Sequence, residues 1–149
     1  MAGKTKKLIL ISIAILALTG GAVGYYMYNK GPRDVRSASG IKINADALYT
    51  IFATDSTEAK KKYTDKIVQV TGEITEVSSN LQQQKVVLLK TAVEGAHINS
   101  TLEIADENLR AGQTITLKGI ASGMGQGDAD LGIPGDVYLT RCYIVKISK

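Results

Sequence analysis

Two side chains in this sequence carry the chemistry of a nucleophile and a general base. They are Cys142 and His97, each the only residue of its type. They would form a working dyad if the fold brought thiol and ring within hydrogen-bond reach and a third group oriented the ring. Neither belongs to a motif: no phosphate-cradling glycine loop, nucleophile elbow or zinc-ligand spacing accompanies them. An isolated cysteine on an apolar strand is more often a small buried hydrophobe, and a single cysteine excludes an intrachain disulfide. Asp128, Asp130 and Asp136 around Gly132 are a second set, spaced like part of a calcium loop. Such a loop needs a carboxylate at its twelfth position, which counted from Asp128 is Leu139. Aspartates and glycines that form turns account for the same pattern. A third set, Lys60-Lys61-Lys62, reads as cations at a helix C-terminus rather than as a phosphate-binding patch. The sequence therefore offers no complete catalytic set, no metal site and no cofactor signature, and it reads as non-enzymatic.

The elements that would position these residues follow from pattern. Leu8–Tyr28 is an uncharged run of 21 residues. As a helix it spans about 31 Å, enough for the hydrocarbon core of a bilayer. Tyr25, Tyr26 and Tyr28 stand where an interfacial aromatic belt would lie. A cleaved signal peptide is the competing reading, but no A-x-A site follows the run. The expectation is a single-pass anchor over 1–28, a linker over 29–44 around Gly31-Pro32 and Ser37–Gly40, and one domain over 45–149. Charges just before and after the span nearly balance, and the lysine-rich start places the C-terminal domain on the exported, extracytoplasmic side.

Leu48, Ile51, Phe52, Ala59 and Tyr63 recur at helical spacing. The pattern breaks at Thr54–Thr57, where Asp55 followed by Glu58 reads as a fresh N-cap. Two short helices are expected, the first capped by Asn44 or Asp46. Five strands follow: Lys66–Val77, Gln84–Lys90, Ala96–Ile104, Thr114–Ser122 and Val137–Ile147. Gly72 in the first and Gly119 in the fourth mark bends, since glycine inside a strand packs nothing. Imperfect alternation in the fifth predicts a bulge near Arg141. Asp106–Gln113 is long enough for one helical turn. Five strands with glycine bends make a mainly β fold, a small five-stranded barrel of OB type with a helical lead-in, preceded by one transmembrane helix.

At that point the residues resemble a known family. The runs ALYTIF, EAKKKYTDKIVQVTGEITEV, AGQTITLKGIASG and VYLTRCYIVKI, within 45–147, resemble the tRNA_anti-like family, OB-fold proteins often seen in membrane-anchored bacterial chains. The resemblance implies a helix-capped barrel, and nucleic-acid binding by analogy with anticodon-binding barrels.

Residues 1–36 hold six basic side chains and one acidic, a net of +5, whereas 37–149 hold 12 Lys and Arg against 13 Asp and Glu. A phosphate-binding domain needs a basic footprint, so the basic character of the chain belongs to its tether. OB barrels also stack bases on aromatics of their second and third strands; here those strands carry no Phe, Tyr or Trp. Nucleic acid is thus the disfavoured partner. The favoured reading is a membrane-tethered binding or scaffold module for a protein, peptide or glycan. Its candidate ligand-binding residues are Lys85, Lys90, His97, Asp128, Asp130, Asp136 and Tyr138, with the loops Ser78–Gln84 and Gly123–Asp136 forming the mouth.

Overall fold

The computed structural model describes residues 2–29, 31, 34–104 and 108–148. The chain divides into two compact units, Met1–Arg33 and Asp34–Lys149.

The first unit is helix α1, Ala2–Asn29. From Lys6 to Asn29 its mean hydropathy is 2.2, making it long and apolar enough to cross a membrane. Two of its hydroxyls are satisfied within the helix: Ser12 Oγ donates to Leu8 O at 3.0 Å and Thr19 Oγ1 to Ile15 O at 2.7 Å. Back-bonding of this kind hides hydroxyls from an apolar medium.

The second unit is built on strand β2, Ile67–Ser79. Val68, Val70 and Ile74 point inward and are buried. The strand serves two neighbours. Up to Glu73 it pairs antiparallel with β5, Thr114–Met124; from Ile74 onward it pairs with β3, Lys85–Lys90. β3 continues to β4, His97–Leu102, antiparallel, and β4 to β6, Val137–Ser148, parallel. β6 pairs back onto β5, which closes a five-stranded barrel. Closure leaves these five strands no open edge.

The bends fall where the pairing demands them, with one correction. The ladder irregularity of β2 lies between Ile74 and Glu76, not at Gly72. Gly72 instead gives room to a helix: a Cβ there would sit 2.9 Å from the Ala45 Cβ and 3.2 Å from that of Leu89. In β6 the expected bulge is at Arg141, whose φ of +52° lets Cys142 turn inward. That inward thiol fills the space a side chain on Gly119 would occupy.

Two helices close one end. Helix α2, Ala45–Thr54, begins where the Asn44 side chain accepts the Ala47 N–H at 2.7 Å. Helix α3, Ser56–Tyr63, begins where Asp55 Oδ1 accepts the amides of Thr57 and Glu58. Both caps satisfy amides that have no partner inside the helix. Leu48, Tyr49 and Phe52 of α2, with Ala59 and Tyr63 of α3, join the barrel residues in one buried core.

Within 29–44, read from sequence as a linker, residues 34–44 pack against the barrel. Ile41–Asn44 forms strand β1, parallel to β2 with Ile41 opposite Val68. The preceding residues make a strap. Val35 is buried, Arg36 lies over the Tyr143 ring at 5.1 Å, and Lys118 Nζ donates to Ala38 O at 3.0 Å. Independent movement through 34–44 would break these contacts, so the compact unit starts at Asp34. The helical turn expected over Asp106–Gln113 falls partly outside the described residues; within them, Leu109 is buried and Gln113 Oε1 accepts the Arg110 N–H at 2.8 Å.

Candidate ligand face

Alternation decides which side chains the barrel presents. In β3, Val87 and Leu89 are buried, so Val86, Leu88 and Lys90 face outward. In β4, Ile98, Ser100 and Leu102 are buried, so His97, Asn99 and Thr101 face outward. Register sets these in rows. Lys90 is opposite His97; Leu88 is opposite Asn99, which is opposite Tyr138 of β6. Tyr138 is 43% exposed. The barrel's second and third strands lack aromatics, yet their neighbour supplies one, because a parallel β4–β6 pairing returns the chain beside them. Sequence spacing alone does not reveal that adjacency.

The edge of this face is fixed by Asp136. Its Oδ1 accepts the His97 backbone N–H at 2.9 Å and lies 3.6 Å from His97 Nδ1. Tyr49 of α2 stands close enough that Asp136 adds to the effect of burial, and the phenol is held above its ordinary range, chiefly by loss of water. Lys90 also borders an open cleft of about 290 Å³, where Asp46 and Glu73 bring carboxylates. Lys90, His97, Asp136 and Tyr138 therefore form one surface.

The other candidates stand apart. Lys85 is at the opposite end of β3, five steps or about 17 Å of strand from Lys90. The β2–β3 turn beside it is pinned by Asn80, whose Oδ1 accepts the amides of Gln82 and Gln84. Asp128 Oδ1 accepts the amides of Asp130 and Leu131, so it is a turn former. Asp130 is exposed on the same turn. The β5–β6 loop folds back on itself, with Gly125 N donating to Asp136 O at 2.8 Å, and meets the β3–β4 turn where Gly95 approaches Pro134. The two loops expected to share one mouth thus lie at the two ends of β3 and bracket the outward face.

The thiol and the imidazole are not brought together. His97 faces outward, whereas Cys142 is 0% exposed inside the barrel beside Ser100. Burial raises the thiol far above its ordinary value near 9, and the Ser100 hydroxyl opposes this weakly. The folded protein keeps its proton where the unfolded chain gives it up, so this contribution is full below about pH 9 and is lost as pH rises above it. Unfolding free energy should fall above that point with a slope approaching about 1.4 kcal/mol per pH unit. Cys142→Ala should remove that slope, leaving the smaller one from Tyr49, as read by urea denaturation from pH 8 to 10.5.

Residues 1–130 match the tRNA_anti-like family. The chain belongs to the tRNA_anti-like family. The match begins at the N-terminal helix and ends within the β5–β6 loop, while the resemblance read from sequence spanned 45–147. No curated protein matches the chain. Solved structures resemble this tRNA_anti-like protein at low identity and over limited parts. An aspartyl tRNA synthetase from Entamoeba histolytica is 9% identical, with a TM-score of 0.38, over 58% of this chain and 20% of that one. A putative aspartyl-tRNA synthetase from Leishmania major Friedlin is 8% identical, with a TM-score of 0.44, over 88% and 27%. The second OB-fold domain of replication protein A from Methanococcus maripaludis is 15% identical, with a TM-score of 0.34, over 58% and 91%. The chain thus spans 20% of one synthetase and 27% of the other.

Proposed function

We infer that this tRNA_anti-like protein is a non-enzymatic binding module, tethered to a bacterial membrane by α1, with its barrel on the exported side. Its ligand is an extended protein, peptide or glycan segment laid across β3, β4 and β6. The supporting observation is the row Leu88, Asn99 and Tyr138, flanked by Lys90 and His97 and bracketed by two ordered loops. One open ring, amide and apolar groups, one lysine and an imidazole set beside Asp136 suit a neutral or mixed-charge chain. A polyanion would call for more cations and more rings.

Nucleic acid is the second reading. The family's name favours it, as does the placement of Tyr138, His97 and Lys90 on one face. A labelled single-stranded oligonucleotide titrated with the protein at 50 and 200 mM salt separates the two. The expected result is no binding tighter than the non-specific range of about 10⁻⁴–10⁻⁶ M. Tighter binding that collapses at the higher salt and is lost in Tyr138→Ala would replace the first reading with the second.

A further inference from the structure

The second unit is charged unevenly. Lys42, Gln69, Lys118 and Tyr143 occupy one row across β1, β2, β5 and β6, and Asn44, Thr71, Thr116 and Lys146 occupy the next. All lie on the outward side, since the alternating Val68, Val70, Leu117 and Cys142 are buried. Arg36 joins this face from the strap, its guanidinium over Tyr143 and its carbonyl accepting from Lys118. Against these four cations the face holds Asp34 and Glu73, with Asp46 at its end beside Asn44 and Thr71. On the β3–β4 side and its loops the balance is reversed, with Glu76, Glu94, Glu103, Asp128, Asp130 and Asp136 against Lys85, Lys90, Arg110 and Arg141. A domain whose net charge is close to zero is therefore polarised, and a charged surface would orient it.

We propose that the strap-bearing face of β1, β2, β5 and β6 docks on anionic phospholipid headgroups. Three features favour lipid over a polynucleotide. Arg36 already covers the Tyr143 ring, so no base can stack on that side of it. The strap lies along the Lys118 row, where its Arg36 and Ala38 carbonyls accept from Lys118 Nζ, so a polynucleotide backbone cannot track that row. In the chain, Arg36 comes seven positions after Asn29, the last residue of the apolar helix, a separation that extended chain can span over at most about 25 Å. Lys42 and Lys146, both exposed and about 14 Å apart across four strands, are the free contacts. Lys118 is held by the strap carbonyls and adds its field.

This rests on the membrane-tether reading for its location, and the two are tested separately. Residues 34–149 contain the whole buried core, the closed ladder and the strap, so this piece carries what folds it. It should co-sediment with phosphatidylcholine vesicles containing about one-third phosphatidylglycerol and not with phosphatidylcholine alone, and raising the salt should release it. Each basic residue at such a surface is worth about fivefold in partitioning. Lys42→Glu with Lys146→Glu should therefore lower binding at least tenfold. Arg110→Glu changes the net charge on the other side and should leave binding within twofold. Equal binding to neutral and anionic vesicles, or equal loss in the Arg110 and Lys42 variants, overturns the docking face. Binding of an oligonucleotide in preference to anionic vesicles, abolished by the Lys42 and Lys146 changes, also overturns it and assigns the face to nucleic acid. Release of the full chain from membranes by alkaline carbonate would defeat the tether alone and leave the vesicle result standing.

Discussion

Phe52→Ala should lower the unfolding free energy by about 3–5 kcal/mol, the range for deleting a fully buried aromatic ring. The ring is 1% exposed and its centroid is 6.3 Å from that of Tyr63, tilted by 44°. Removing it leaves a cavity between α2, α3 and the barrel end, and the side-chain caps at Asn44 and Asp55 hold the helices from collapsing into it. A domain of this size is stable by about 5–15 kcal/mol, so the loss is a large share of the total. Thermal melting should show a midpoint about 10–20 °C lower. Phe52→Leu, which keeps most of the apolar volume, should cost less than half as much. A drop below 1 kcal/mol for Phe52→Ala would mean that the helices merely rest on the barrel. A smaller urea m-value with the stability otherwise retained would mean that they detach as a unit.

The helices were legible because their signals are local. Asp55 three residues before Glu58, and apolar residues at helical spacing, need no tertiary information. The same holds for β6, where the alternation of Val137 and Leu139 breaks before Cys142 and so marks the bulge at Arg141. What was lost depended on neighbours far away in the chain. β1 is only four residues long, Ile-Lys-Ile-Asn, inside a stretch of small and charged residues. Its evidence is the parallel partner 27 positions later, Val68 opposite Ile41. The strap is similar: Val35 is an isolated apolar residue, and only the Lys118 and Tyr143 contacts make it part of the domain. Gly72 was recognised as special for a reason that proved secondary. It lies just before β2 changes partners, yet its missing side chain chiefly admits α2. The ligand face was half legible. Lys90, His97, Asp136 and Tyr138 were all named from sequence, but their union depends on the β4–β6 pairing. Asp128 and Asp130, by contrast, drew notice as acids and serve their own turn.

Gly119→Ala tests the tightest point of the barrel wall. A Cβ there would overlap Cys142 Sγ and would sit 3.3 Å from Thr140 O and 3.4 Å from the Leu139 Cβ. The thiol cannot retreat easily, because the Arg141 bulge and the pairing of Cys142 with Leu102 fix its direction. Overpacking of a filled core costs about 1–3 kcal/mol, and the upper half of that range is expected here. Cys142→Ala alone removes one buried sulfur and should cost about 1 kcal/mol. The double variant replaces the overlapping sulfur by space for the new methyl group. It should therefore be more stable than the sum of the two single losses by about 1–2 kcal/mol, the coupling expected of residues in direct contact. Urea denaturation at pH 7 measures all four corners of the cycle, away from the alkaline range where the thiol's own ionisation enters. Strict additivity would show that the bulge shifts to accommodate the methyl group, so that the inward thiol is not what requires glycine at 119. Full coupling would mean that one bulged arginine, by turning one sulfur inward, dictates a glycine 22 positions earlier on the neighbouring strand.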